Sequence, residues 1–147
     1  MNIIQANASH IPQLALLFDK YRIFYKQTSN ISAASSFLEE RFAKSESIVF
    51  MVFIGDKAVG FTQLYTTFSS VSMRPYYILN DLYVDDTYRK EGIGSALLTT
   101  AQEFCVKKGF KGLALETAID NPAQKLYEKL GWQKDSHGFH YFWPTNS

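Results

Sequence analysis

Two glycines one residue apart, just behind a pair of cations, mark the stretch of this sequence best suited to hold a charged ligand. Tyr83-Val84-Asp85-Asp86-Thr87-Tyr88-Arg89-Lys90-Glu91-Gly92-Ile93-Gly94-Ser95-Ala96 joins an apolar strand-like run to a helix-like one. The first amides of a helix have no partner inside it and sit at the positive end of its dipole, so such a junction is an anion site in waiting. Glycines let a phosphate come close to the backbone, and Arg89 and Lys90 add charge; glycines before a helix also serve packing alone. A third glycine or alanine of the dinucleotide fingerprint does not follow Gly94, where Leu97 stands, and no Gly-Lys-Ser/Thr of a P-loop appears. The ligand implied is an anion larger than one phosphate, held by amides.

Carboxylates come next. Asp81 lies inside the apolar run Leu79-Asn80-Asp81-Leu82-Tyr83-Val84, and a buried carboxylate is costly unless it has a partner or a purpose. Either a structural hydrogen bond or a catalytic role meets that requirement. Glu116, on the following strand-like run, is a second candidate base and equally suits a solvated face. Cys105 falls on the apolar side of a helix and reads as core. The three histidines, His10, His137 and His140, are scattered, so no metal site is expected, and no Gly-x-Ser-x-Gly supports a serine hydrolase.

These groups need a frame, and the chain supplies enough for a single domain spanning 1–147. It has 147 residues, 46% hydrophobic, with a formal net charge of +1, which gives no broad footprint for nucleic acid. One cysteine excludes an internal disulfide; together with the absence of a signal-peptide pattern this points to a reducing, cytoplasmic setting. The glycosylation-like triplets at Asn7 and Asn30 matter only in secreted chains. No apolar run reaches the roughly 18 residues of a membrane helix.

Periodicity divides the chain as follows. Residues 2–6 form a short strand. A helix opening at Ser9 and Pro12 carries Leu14, Leu17, Phe18, Tyr21 and Tyr25 on one stripe, and after a turn at Gln27–Asn30 a second runs to about Lys44 with Phe37, Leu38, Arg41 and Phe42. Strands follow at Ile48–Ile54, Val59–Phe68 and Tyr76–Val84, the first two as a hairpin. Gly92–Lys108 is a helix. Leu113–Thr117 is a strand, and Asn121-Pro122 opens a short helix, with Asn121 as cap and Gln124 completing a capping box. Trp132–Lys134 and Phe139–Trp143 read as a closing pair of strands.

Arg89-x-x-Gly92-x-Gly94 resembles the pyrophosphate motif of the GNAT superfamily of acetyl-CoA-dependent N-acetyltransferases. Leu79–Val84 resembles the strand before that motif, and Asn121-Pro122-Ala123-Gln124-Lys125-Leu126-Tyr127-Glu128-Lys129-Leu130-Gly131-Trp132 resembles the family's late helix. The order of elements agrees over nearly the whole chain. The resemblance implies an α/β (mixed α+β) fold whose twisted, mostly antiparallel sheet splays open between the strand ending at Val84 and the one near Leu113, flanked by about four helices. Acetyl-CoA would lie in that cleft. Main-chain groups of Leu82, Tyr83 and Val84 would hold the pantetheine arm, Arg89, Lys90, Glu91, Gly92, Ile93, Gly94 and Ser95 the pyrophosphate, and Asn121 and Tyr127 the other side.

The same resemblance makes Tyr127 the acid that protonates the leaving thiolate, with Asp81 or Glu116 as base. Polyamine-acetylating members usually carry glutamate where this chain has Asn80, so that base is excluded at 80. The acceptor side would comprise Phe24, Tyr25, Asn80 and Asp81. The acceptor expected is a small-molecule primary amine such as a polyamine, amino acid or aminosugar. A protein lysine or N-terminus, or a non-catalytic acyl-CoA-binding module, are the alternatives, and a homodimer is compatible with the family.

Overall fold

The computed structural model describes residues 1–135, 138 and 140–145. It divides into two compact units, Met1–Glu116 and Thr117–Ser147. In the first, β1 (Asn2–Gln5), β2 (Ser47–Ile54), β3 (Lys57–Ser69), β4 (Arg74–Val84) and β5 (Leu113–Ala114) form one sheet in that order. All neighbours are antiparallel except β4 and β5, which are parallel. Helices α1 (Ile11–Phe24) and α2 (Ile31–Ala43) precede the β2–β3 hairpin, and α3 (Ile93–Lys108) links β4 to β5. The second unit holds α4 (Gln124–Lys129).

The alternation of side chains along β3 sorts the helices onto opposite faces. Phe61 meets the rings of Phe18 and Tyr21 on α1. Its neighbour Gly60 faces α3, where an added Cβ would stand 3.2 Å from Ile93 Cγ2 and 3.1 Å from the Tyr83 carbonyl oxygen. A side chain at this position would push its neighbours back by a few tenths of an ångström, so glycine favours the close seat of α3 on the sheet. The main core lies on the α1–α2 face, built from Leu14, Leu17, Phe18, Leu38, Met51 and Phe61. On the other face Leu97, Leu98, Ala101 and Cys105 of α3 are buried, so Cys105 is the packing residue its spacing implies.

Local chemistry explains the helix starts. Asn7, rather than Ser9, caps the first turn: its Oδ1 accepts the Ser9 amide at 2.9 Å and its own amide donates to His10 Nδ1 at 3.0 Å. Asn30 Oδ1 accepts the Ala33 amide and caps α2. Buried Asp19 of α1 accepts from Ser29 Oγ and the Asn30 amide, both at 2.7 Å, which fixes the α1–α2 connection.

Three sequence expectations need correction. The strand expected over Leu113–Thr117 is only Leu113–Ala114. Trp132–Lys134 is in no strand, and neither are His140–Trp143; Tyr141, Phe142 and Trp143 are 80–89% exposed. Phe139, with Ser136 and His137, lies outside the described residues. Aromatic, β-prone residues make a strand only where a neighbouring strand completes the ladder, and these have no such neighbour among the described residues. Finally, α4 begins at Gln124 rather than at Asn121-Pro122. Asn121 Oδ1 does accept the Ala123 amide at 2.9 Å. Gln124 Nε2, however, donates to the carbonyls of Ile119 and Asn121, and the Asn121 amide goes to the Ala118 carbonyl at 3.0 Å rather than to Gln124 Oε1, so the capping box is not made.

The end of β4 is tied to α1 by one ion pair, Lys20 Nζ to Asp85 Oδ2 at 2.9 Å. Hydrogen bonding from Lys20, aided by the Thr87 amide and hydroxyl, pulls the buried Asp85 carboxyl down from 3.8 to about 2. A depressed folded value means stability that is full above the unfolded value of about 3.9 and lost as pH falls toward about 2. Lys20 is half exposed, so screening limits the pair. Asp85→Asn should lower unfolding free energy by about 1–2 kcal/mol at pH 7 and by little at pH 2.5, as measured by urea titration; an equal loss at both pH values would remove the electrostatic account.

Candidate active site

The glycine turn folds as an anion cradle would. After Asp85 a single 3₁₀ turn, Asp86–Tyr88, leads through extended Arg89 to Lys90 and Gly92, both in the left-handed region at φ 66° and 80°. Gly92 is the N-cap of the 16-residue α3, and no side chain caps that helix. The amides at its start are therefore left for solvent or a ligand. A Cβ at Gly92 would meet nothing within 4 Å, so the backbone there is open and the positive φ is what calls for glycine. Ile93 is 2% exposed with its side chain in the core, leaving only its amide to offer, while Lys90 and Glu91 are exposed.

Arg89 is not a free cation over this turn. Its Nε donates to the Val84 carbonyl at 2.9 Å and its Nη2 lies 2.9 Å from Asp86 Oδ1. Its guanidinium covers the rings of Phe24 at 5.5 Å and Tyr83 at 5.6 Å. It braces the turn against β4 and the end of α1. Phe24 and Tyr25, expected on the acceptor side, are each more than half exposed and meet edge to face at 5.2 Å.

Strand β4 is paired along its whole length with β3 but with β5 only at Tyr77 and Ile78. From Leu79 to Val84 no strand pairs with its β5 side among the described residues, and the Val84 carbonyl is held instead by Arg89. This is the splay expected of the sheet, and it opens along Leu82, Tyr83 and Val84 toward the glycine turn.

A bulge in the same strand changes which way its side chains face. Gln63 pairs with Asp81 while Leu64 pairs with Leu79, so Asn80 is an extra residue with no partner on β3. Before it, Tyr77 stacks on Phe110 and meets Phe104 on the α3 side. After it, Tyr83 meets Tyr21 and Phe61 on the α1 side. In a regular strand these positions, six residues apart, would share a face. The bulge thus turns Asp81 toward α1 and the aromatic residues there.

Asp81 is 4% exposed and lies among donors. Gln63 Nε2 donates to its Oδ2 at 2.5 Å and Asn80 Nδ2 to its Oδ1 at 3.1 Å. Tyr21 hydroxyl donates to the Asn80 carbonyl at 3.4 Å, beside the carboxylate. Burial raises the carboxyl above its usual value, opposed by Gln63, Tyr21 and Asn80. Burial, then the charge of Asp81, raises the phenols of Tyr21 and Tyr65 far above theirs, so both stay protonated. The result is a buried carboxylate within a shell of donors. Gln63 was missed in the sequence, where its signal was an amide inside a strand-like run; it is 0% exposed and its Oε1 has no partner among the described residues. Tyr21, which its spacing marks as core, also belongs to this shell.

Glu116 is exposed, lies two residues past the end of β5 and is not among the partners of Asp81. In the second unit, Tyr127 on α4 lies with its ring 5.9 Å from Trp132, and Asn121 Nδ2 donates to Thr117 Oγ1. Among the described residues no group of acids, histidines and cysteines could hold a metal, and no helix is long and apolar enough to cross a membrane.

Residues 14–132 match the family model described as Acetyltransferase (GNAT) family. The chain is 43% identical over 142 residues to an uncharacterized N-acetyltransferase of Bacillus subtilis (strain 168), covering 96% of this chain and 95% of that one. It is 32% identical to a probable acetyltransferase of Haemophilus influenzae over 87% of this chain and 97% of the other. A crystal structure of a probable acetyltransferase superposes with a TM-score of 0.94 at 35% identity, over 100% of this chain and 99% of that chain.

The shell around Asp81 has a consequence for titration. Because its folded pKa is raised, Asp81 keeps its proton to higher pH than in the unfolded chain, and costs stability as pH rises from the unfolded value toward the folded one. Carboxyl ¹³C NMR should find Asp81 titrating above 3.8 and higher again in Gln63→Leu, which removes a donor to the charged form. A value at or below 3.8, or no change in the variant, would contradict the desolvated site.

Proposed function

The chain belongs to the GNAT acetyltransferase family, and on that premise we propose that it transfers the acetyl group of acetyl-CoA to the primary amine of a small molecule, with Asp81 as base and Tyr127 as acid. The observation that carries this reading is Asp81 itself: a buried carboxylate, turned by the bulge toward α1, beside the unpaired edge of β4.

The cofactor's parts fit groups already described. A pyrophosphate needs uncapped amides and a close backbone approach, which support assigning it to Lys90, Glu91, Gly92, Ile93, Gly94 and Ser95. A pantetheine arm carries amides that can pair with a strand edge, which supports Leu82, Tyr83 and Val84 as its partners. Arg89 then acts as the brace that holds the turn in shape, and Asn121 and Tyr127 are assigned to the cofactor's other side by their motif positions.

In the reaction the amine nitrogen bonds to the acetyl carbonyl carbon, the carbon–sulfur bond breaks and the thiolate leaves. A primary amine near pKa 10.4 is almost wholly protonated at pH 7, a deficit of about 4–5 kcal/mol. Asp81 takes the surplus proton as the amine attacks, and a raised pKa suits it to that task better than an ordinary aspartate. The Tyr127 phenol supplies a proton to the departing sulfur. Glu116, exposed, serves this scheme less well as base than Asp81.

Two variants test the roles separately. Asp81→Asn should lower kcat by about 10²–10³-fold and flatten the acidic limb of the pH–rate profile. Tyr127→Phe should lower kcat at least about tenfold with the acetyl-CoA Kd unchanged. Steady-state thiol release and calorimetry give both numbers; wild-type turnover in either variant would remove that residue from its role.

A further inference from the structure

On the α1–α2 side of the sheet a groove opens between the end of α2 and the outer half of β3, lined by Phe37, Arg41, Glu46, Tyr65, Thr66 and Phe68. Tyr65 lies two residues from Gln63 on β3, hence on the same face, and Gln63 holds Asp81. Thus the groove runs from solvent to the neighbourhood of the buried carboxylate. Its walls are aromatic: Phe68 is 73% exposed and Phe37 stands at the margin of exposure.

Arg41 is the least exposed charge of the local network. Its side chain is 21% exposed, against 53% for Glu40, 49% for Glu46 and 59% for Lys44. The guanidinium carbon stands over the Phe37 ring at 4.7 Å, with Nε on Glu46 at 2.9 Å and Nη2 3.2 Å from Glu40. Glu40 also binds Lys44 at 2.7 Å, so the four charges cancel. Nη1 has no partner among the described residues. A preorganised guanidinium with uncommitted donors against an aromatic face is a carboxylate receptor. An ammonium has no acceptor to offer the uncommitted Nη1, whereas a carboxylate has.

We propose that this groove receives the acceptor, and that the acceptor is a small primary amine that also bears a carboxylate, the carboxylate on Arg41 and the amine directed past Tyr65 toward Asp81. The proposal rests on the reading of Asp81 as the base. It narrows the acceptor from amines in general to amino carboxylates, since a polyamine or aminosugar would bring a second cation, or no anion, to Arg41. Exposed Phe68 flanks the carbons between the two charged ends, while the Phe37 ring stays between Phe18 and Arg41.

The test compares kcat/KM for thiol release, with the acetylated product confirmed by mass, across ω-amino carboxylates of two to six carbons, lysine, their primary amides and putrescine. Wild type should prefer a carboxylate over its amide by at least tenfold. Arg41→Gln should bring that ratio near one through KM of the acceptor, with the KM of acetyl-CoA unchanged. Glu46→Gln, which releases donors on Arg41, should enlarge it. The wild-type ratio needs no variant, so a folding defect in Arg41→Gln does not blunt the test. Amides or putrescine used as well as the carboxylates, or a ratio unmoved by Arg41→Gln, would overturn the groove assignment and leave the function standing. Acetyl-CoA binding with no amine turned over would overturn both.

Discussion

One extra residue in one strand sets the terms for the rest of the site. Asn80 has no partner on β3, and the bulge it makes reverses the faces of everything after it in β4. Tyr77 before it belongs to the α3 side, while Asp81 and Tyr83 belong to the α1 side with Tyr21, Gln63 and Phe61. A straight strand would bury Asp81 under α3 among apolar residues, without donors. Such burial would leave a carboxylate uncompensated, at a cost of several kcal/mol.

The same strand also parts from β5 after Ile78, so its edge and its face do different work. The edge has no strand partner as it leads to the glycine turn; the face presents a carboxylate to the aromatic side of the sheet. Arg89 and the Lys20–Asp85 pair hold these parts in register by fastening the end of β4 to α1. Stability and site geometry meet at these contacts. In the proposed scheme one strand thereby serves both cofactor and acceptor.

Much of the frame was legible because it is local. Apolar spacing located α1, α2, α3 and the three long strands to within a few residues, and the Gly92 turn followed from glycine chemistry alone. An aspartate inside an apolar run announced itself. What could not be read is what depends on register. Asn80 looks like any polar strand residue until its pairing is known. Gln63 and Asp81 are 18 residues apart in the chain, and nothing near either one names the other. Arg89 was read as a phosphate cation because it stands beside the glycines, yet its donors go to Val84 and Asp86. Tyr141, Phe142 and Trp143 are in no strand for the opposite reason: their propensity is high, but a ladder needs a neighbour, and the described residues supply none.

The division of labour along β4 is most directly tested by calorimetric titration of acetyl-CoA into wild type, Gly92→Val and Asp81→Asn. The account predicts that Gly92→Val, forced from its left-handed backbone at the start of α3, loses at least about tenfold in affinity. Asp81→Asn should bind as wild type. Full affinity in a folded Gly92→Val, or lost affinity in Asp81→Asn, would contradict the assignment of cofactor to the turn and edge and of proton transfer to the face.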